Sequence, residues 1–92
     1  MKVNENKTFT EVVKKLHPNQ KKDLDKAVKV IIADPNVGDL KAGDLSGISV
    51  YKFKMVNQLT LLAYTYSDKT ITLTLLKLGS HENFYRDLKN IV

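Results

Sequence analysis

Residues 48–79 read ISVYKFKMVNQLTLLAYTYSDKTITLTLLKLG, and the period of two in this stretch decides the fold. From Ile48 to Val56 the side chains alternate, with Tyr51, Phe53 and Met55 on one face and Val50, Lys52 and Lys54 on the other. Asn57-Gln58 marks a turn, residues 59–66 form a second strand, and Ser67-Asp68-Lys69 leads into a third over 70–78. Turns this short require antiparallel neighbours. The second and third strands are apolar on both faces, which predicts a central position with cover on both sides. The lysine-bearing face of the first strand is predicted to lie open to solvent.

Upstream the period is helical. Phe9, Val12, Val13 and Leu16 share one face of a short helix, and Thr8 with Glu11 reads as a capping box at its start. Pro18 suits the first position of a second helix, where its missing N–H costs nothing. Leu24, Ala27, Val28, Ile31 and Ile32 continue at helical spacing until Asp34-Pro35 ends the run. Residues 36–47, with Gly38, Gly43 and Gly47 among Asp39, Asp44 and Ser46, read as a loop whose glycines serve tight turns. No GxxxxGK[ST] phosphate-binding motif is present there. After the third strand Gly79 breaks the pattern, Ser80 is a candidate N-cap, and residues 81–90 form a last helix that docks through Phe84 and Leu88. The predicted fold class is α+β: an N-terminal helix hairpin, a three-stranded or four-stranded antiparallel sheet and a short C-terminal helix, in a single domain over 1–92.

Composition excludes several kinds of chemistry. The 92 residues suffice for one thin core. There is no cysteine, hence no disulfide, no thiolate metal site and no cysteine nucleophile. Two histidines without partnering carboxylates do not make a zinc site, so neither metal nor cofactor is expected. The N-terminus lacks the apolar core of a signal peptide, and no apolar run approaches membrane-helix length; a cytoplasmic location is expected, without membrane association. The net charge of +5 favours a polyanionic partner. Arg86 is the single arginine, so attraction to phosphate is more in character than base-edge readout.

Four residues stand apart from the packing pattern. Lys52 and Lys54 share a strand face about 7 Å apart, which suits an anion bridging both ammonium groups; on an exposed strand the same lysines would also discourage edge pairing. His81 and Tyr85 are spaced i, i+4 on the expected last helix, with His81 in its first turn, where free backbone N–H groups favour an anion. Imidazole exchanges a proton near neutral pH. A tyrosine ring can stack on a base while its hydroxyl hydrogen-bonds. His17, beside Pro18, reads as structural. Arg86 has Glu82 at i−4, the spacing of a surface ion pair, though its guanidinium could equally reach a phosphate.

The ordered set Asp34-Pro35, Leu40, Gly43-Asp44-Leu45-Ser46-Gly47, Val50-Tyr51-Lys52-Phe53-Lys54, Leu61-Leu62-Ala63-Tyr64 and Leu78-Gly79-Ser80-His81-Glu82-Asn83-Phe84-Tyr85-Arg86-Asp87-Leu88 resembles the RelE/ParE superfamily of bacterial type II toxins, RelE branch. The resemblance implies a metal-independent endoribonuclease that cuts messenger RNA on the ribosome and is controlled by a cognate antitoxin. It implies catalytic roles for His81, Lys52, Lys54 and Tyr85. RelE-like nucleases often carry a basic residue near the position of Leu61; here Lys77 and Arg86 are the candidates to bind substrate in its stead. The ParE branch, which shares the fold and inhibits DNA gyrase, is the alternative, and a nuclease acting on DNA is a further one. The basic face of Lys52, Lys54 and Lys77 is expected to accept an antitoxin segment carrying acidic and apolar residues, which covers the groove or displaces the last helix.

Overall fold

The computed structural model describes residues 1–91. Its elements are β1 (Lys2–Glu5), α1 (Lys7–Lys14), α2 (Pro18–Ala33), β2 (Asp39–Leu40), β3 (Ser49–Met55), β4 (Gln58–Ser67), β5 (Thr72–Gly79) and α3 (Phe84–Ile91), with one 3₁₀ turn at Gly43–Leu45. They form one sheet in the order β1-β5-β4-β3-β2. The predicted meander β3-β4-β5 is its antiparallel centre. Two edge strands are added to it. β2 pairs with only Ser49 and Val50, and β1 runs parallel to β5.

β4 carries the core on both faces, as its composition requires. Leu62 and Tyr64 join Phe9, Leu24, Ile31, Leu73, Leu75 and Leu78 beneath the α1–α2 hairpin. Leu61 and Ala63 join Leu45, Ile48, Val50, Phe84 and Leu88 beneath α3. An eight-residue helix is marginal by itself. Burying Phe84 and Leu88 completely, at about 1.5–3 kcal/mol each, is what holds α3 to the sheet.

Several local boundaries differ from the sequence reading. α1 is capped by Asn6, whose Oδ1 accepts from the Phe9 N–H at 2.8 Å; Thr8 lies inside the helix, so the Thr8–Glu11 box is not used. The cause is β1: the Asn6 N–H donates to the Leu75 carbonyl at 3.1 Å, which fixes where the strand ends and the helix begins. The β3–β4 turn is Val56-Asn57, one residue earlier than expected, with both residues at positive φ (51° and 67°) as a tight hairpin demands. Asp23 of α2 accepts from the Val56 N–H at 2.8 Å and holds this unfavourable valine conformation in place. Gly38 serves a close approach rather than a turn. A Cβ there would lie 2.7 Å from the Tyr64 hydroxyl, which accepts from the Gly38 N–H at 3.0 Å and donates to the Pro35 carbonyl at 2.7 Å.

Candidate functional site

Register places the candidate lysines. Lys52 pairs with Leu61, and Leu61 with Gly79, so the three form one row across β3, β4 and β5. Strands about 4.8 Å apart put the backbones of Lys52 and Gly79 about 10 Å from each other. Lys54 pairs with Leu59, which is 51% exposed, one pleat further along the same face. Since Leu61 packs beneath α3, this entire face is the α3 face. Lys52 and Lys54 are exposed, as their alternation predicted. β2 stops short of them, so they also guard an open sheet edge.

Lys77 reaches this face through an irregularity. Strict alternation along β5 would set it with Leu73 and Leu75, beneath the helix hairpin. A bulge at Leu76 intervenes: Tyr64 pairs with Leu75 but Ala63 pairs with Lys77. The extra residue turns Lys77 to the α3 side, where its Nζ lies 5.7 Å from the centroid of the Phe84 ring.

The segment after β5 differs from the expected helix. α3 begins at Phe84, not at residue 81. Residues 81–83 form a turn in which the Phe84 N–H meets the His81 carbonyl at 3.3 Å and Asn83 adopts φ 59°. Ser80 is therefore no N-cap, and His81 is not in the first helical turn; the argument from free helical N–H groups beside the imidazole falls away. The pairing of His81 with Tyr85 survives by another route. Their rings meet edge to face with centroids 6.1 Å apart. Phe84 meets Tyr85 edge to face at 5.4 Å, which ties the pair to the core.

Arg86 makes no i−4 pair with Glu82, because Glu82 precedes the helix; its Nε faces Asp87 at 3.7 Å, both side chains being largely exposed. His17 is the exposed residue preceding α2 and donates its N–H to Gln20 at 2.8 Å, on the hairpin side of the sheet. Leu61, where the resemblance called for a basic residue, is completely buried. One residue on this face was not foreseen. Lys41, just after β2, has its Nζ 5.2 Å from the centroid of the Tyr85 ring. No local sequence signal marks Lys41, because only the return of β2 against β3 brings it there, with the Lys41 N–H donating to the Ile48 carbonyl at 2.8 Å.

The arrangement is a group of lysines on the sheet face that α3 covers, together with the Tyr85 phenol on α3 and the His81 imidazole in the turn before it. Ammonium groups so placed can bind phosphate, and the two rings can exchange a proton or orient a nucleotide. Among the described residues no three His, Asp or Glu side chains converge on a point that could hold a metal ion. No helix among them is long and apolar enough to cross a membrane.

Residues 3–89 match the family model described as ParE-like toxin of type II bacterial toxin–antitoxin system. No curated protein sequence matches the chain. Among solved structures, a mutant of the toxin RelE of E. coli in the free state superposes with a TM-score of 0.74 at 12% identity, covering 98% of this chain and 90% of that one. A chain of the intact E. coli RelBE toxin–antitoxin complex gives 0.70 at 17% identity, over 88% and 96% of the two chains. A YoeB/ParE toxin from Agrobacterium tumefaciens gives 0.69 at 12% identity, over 88% and 99%. At these identities the likeness is one of fold.

Proposed function

The chain belongs to the ParE-like toxins of type II bacterial toxin–antitoxin systems, and from that premise we propose that it acts as a metal-independent endoribonuclease on messenger RNA at the ribosome. The observation that carries this reading is the gathering of Lys52, Lys54 and Lys77 on the one sheet face that also bears the His81–Tyr85 pair. In the proposed reaction the ribose 2′-oxygen attacks its own phosphorus and the P–O5′ bond breaks, leaving a cyclic phosphate. Lys52 and Lys54 hold the phosphate oxygens and stabilise their growing charge, and one of them, starting as the neutral amine, accepts the 2′-hydroxyl proton and becomes an ammonium as that charge builds. His81 gives a proton to the departing 5′-oxygen. Tyr85 orients the nucleotide, and Lys77 binds the strand nearby. Arg86, turned to Asp87, is the weaker candidate for substrate binding.

A cognate antitoxin is the proposed protein partner, consistent with the RelBE complex among the structures of like fold. Its inhibitory segment would lie on the lysine face or take the place of α3, with acidic residues against Lys52 and Lys54 and apolar ones against the sheet.

One observation favours a second reading, inhibition of DNA gyrase without nuclease activity: the buried Leu61 supplies no positive charge at the centre of the site. Single-turnover cleavage of ribosome-bound messenger RNA by the parent, His81→Ala and His17→Ala separates the two. Loss of a general acid lowers the rate by about 10²–10⁴, so His81→Ala should fall by that factor while His17→Ala matches the parent. Equal rates for His81→Ala and the parent would remove the imidazole from the mechanism. A parent that cuts no RNA yet accumulates cleaved DNA–gyrase complexes would establish the second reading, and cleavage of a 2′-deoxy substrate would indicate a DNA nuclease.

A further inference from the structure

We propose that Lys41 is a further RNA-binding residue of this site, holding a backbone phosphate beside Tyr85. The inference rests on the nuclease reading and extends the substrate path beyond the residues named for it. Two lysines lean on the paired aromatic rings of α3: Lys77 on Phe84 at 5.7 Å and Lys41 on Tyr85 at 5.2 Å. The Phe84 and Tyr85 rings touch at 5.4 Å, so the two ammonium groups bracket the start of α3. Among the described residues no carboxylate lies within ion-pair distance of Lys41, whereas Lys89 at the far end of the same helix is matched by Asp44 at 3.6 Å.

An ammonium laid against a ring at this distance is attracted by the ring's quadrupole, an interaction of about 0.5–1 kcal/mol at exposed sites. That is enough to keep Lys41 beside Tyr85 and too little to prevent it from meeting a phosphate. Lys41 as a residue is half-buried, which limits the side-chain freedom lost on binding. The contact also decides how Tyr85 is used. With an ammonium 5.2 Å from the ring centroid and the His81 ring set edge to face with it, a phosphate drawn to Lys41 arrives beside the phenol. On this path a strand crosses Lys54 and Lys52, passes His81 and Tyr85, and leaves over Lys41.

The test uses a fluorescein-labelled single-stranded RNA and four proteins: parent, Lys41→Met, Lys41→Arg and Lys22→Met. Lys22→Met makes the same charge change on the exposed side of α2, across the sheet from the site. Each phosphate contact to a single strand contributes about 0.7 to the slope of log binding constant against log salt. Lys41→Met should lower that slope by about 0.7 and slow single-turnover cleavage, Lys41→Arg should restore both, and Lys22→Met should change neither. A lysine that merely steadied Tyr85 would alter the cleavage rate and leave the slope in place. An unchanged slope in Lys41→Met, or an equal fall in Lys22→Met, overturns the assignment while leaving the nuclease reading intact. A parent that neither binds nor cuts RNA overturns the nuclease reading, and this inference with it.

Discussion

Replacing Tyr64 by phenylalanine isolates the contribution of one buried hydroxyl to the whole fold. The Tyr64 side chain is fully buried in the core beneath the helix hairpin, and phenylalanine keeps the ring and its packing. What is lost is the pair of hydrogen bonds that pins residues 35–38: donation to the Pro35 carbonyl at 2.7 Å and acceptance from the Gly38 N–H at 3.0 Å. Each net hydrogen bond is worth about 1 kcal/mol, and more where the abandoned partner stays away from water. The approach of Gly38 is so close that a Cβ would collide with the hydroxyl, so the two backbone groups have little room to turn elsewhere. The expected loss is about 2 kcal/mol, which for a domain of this size lowers Tm by about 10 °C. Thermal and urea unfolding followed by circular dichroism should show this with an unchanged urea m-value. Amide exchange should show the Gly38 N–H losing protection more than its neighbours in β4. A fall in Tm below about 2 °C, with Gly38 still protected, would refute the reasoning and mean that the loop holds its shape without the hydroxyl. Since Tyr64 faces the hairpin, RNA cleavage well below the new Tm should stay at the parent rate.

Burial raises the Tyr64 pKa above its ordinary value, so the folded state keeps a phenolic proton that the unfolded chain gives up near pH 10. The unfolded state then binds fewer protons, and stability, complete below about pH 10, falls as pH rises through the folded pKa; urea midpoints measured upward from pH 9 should decline less steeply for Tyr64→Phe than for the parent. Val56 sits at φ 51° in the β3–β4 turn, where a β-branched residue is unfavourable by about 1–2 kcal/mol. Val56→Gly retains the N–H that Asp23 accepts and should raise the urea midpoint by an amount equivalent to about 1 kcal/mol, offset in part by the freer unfolded chain; a drop in the midpoint would show that the valine side chain contributes more than its backbone conformation costs.

Much of the architecture was legible because its signals are local. Pro18 at the head of α2, Asp34-Pro35 at its end and the alternation over 48–79 each record a periodicity that the backbone imposes on its own side chains. The same alternation put Lys52 and Lys54 on one exposed face. β1 was not legible: Lys-Val-Asn-Glu shows no buried face, all four residues are exposed, and it is a strand only because the free edge of β5 offers hydrogen bonds. Nor was the start of α3, which the reading of Ser80 as an N-cap placed at residue 81 instead of Phe84.

The sequence alone therefore determined the helix hairpin, the central meander and the two-sided burial of β4, and it singled out His81 and Tyr85 as candidate site residues. Tertiary structure decided which residues join them there. The bulge at Leu76 turns Lys77 from the hairpin face to the α3 face, and the return of β2 along β3 carries Lys41 to Tyr85. The division is physical. A side chain's face within one element follows from backbone geometry every two or 3.6 residues, whereas strand register and loop return depend on partners distant in the chain, and one inserted residue reverses the side that local periodicity assigns.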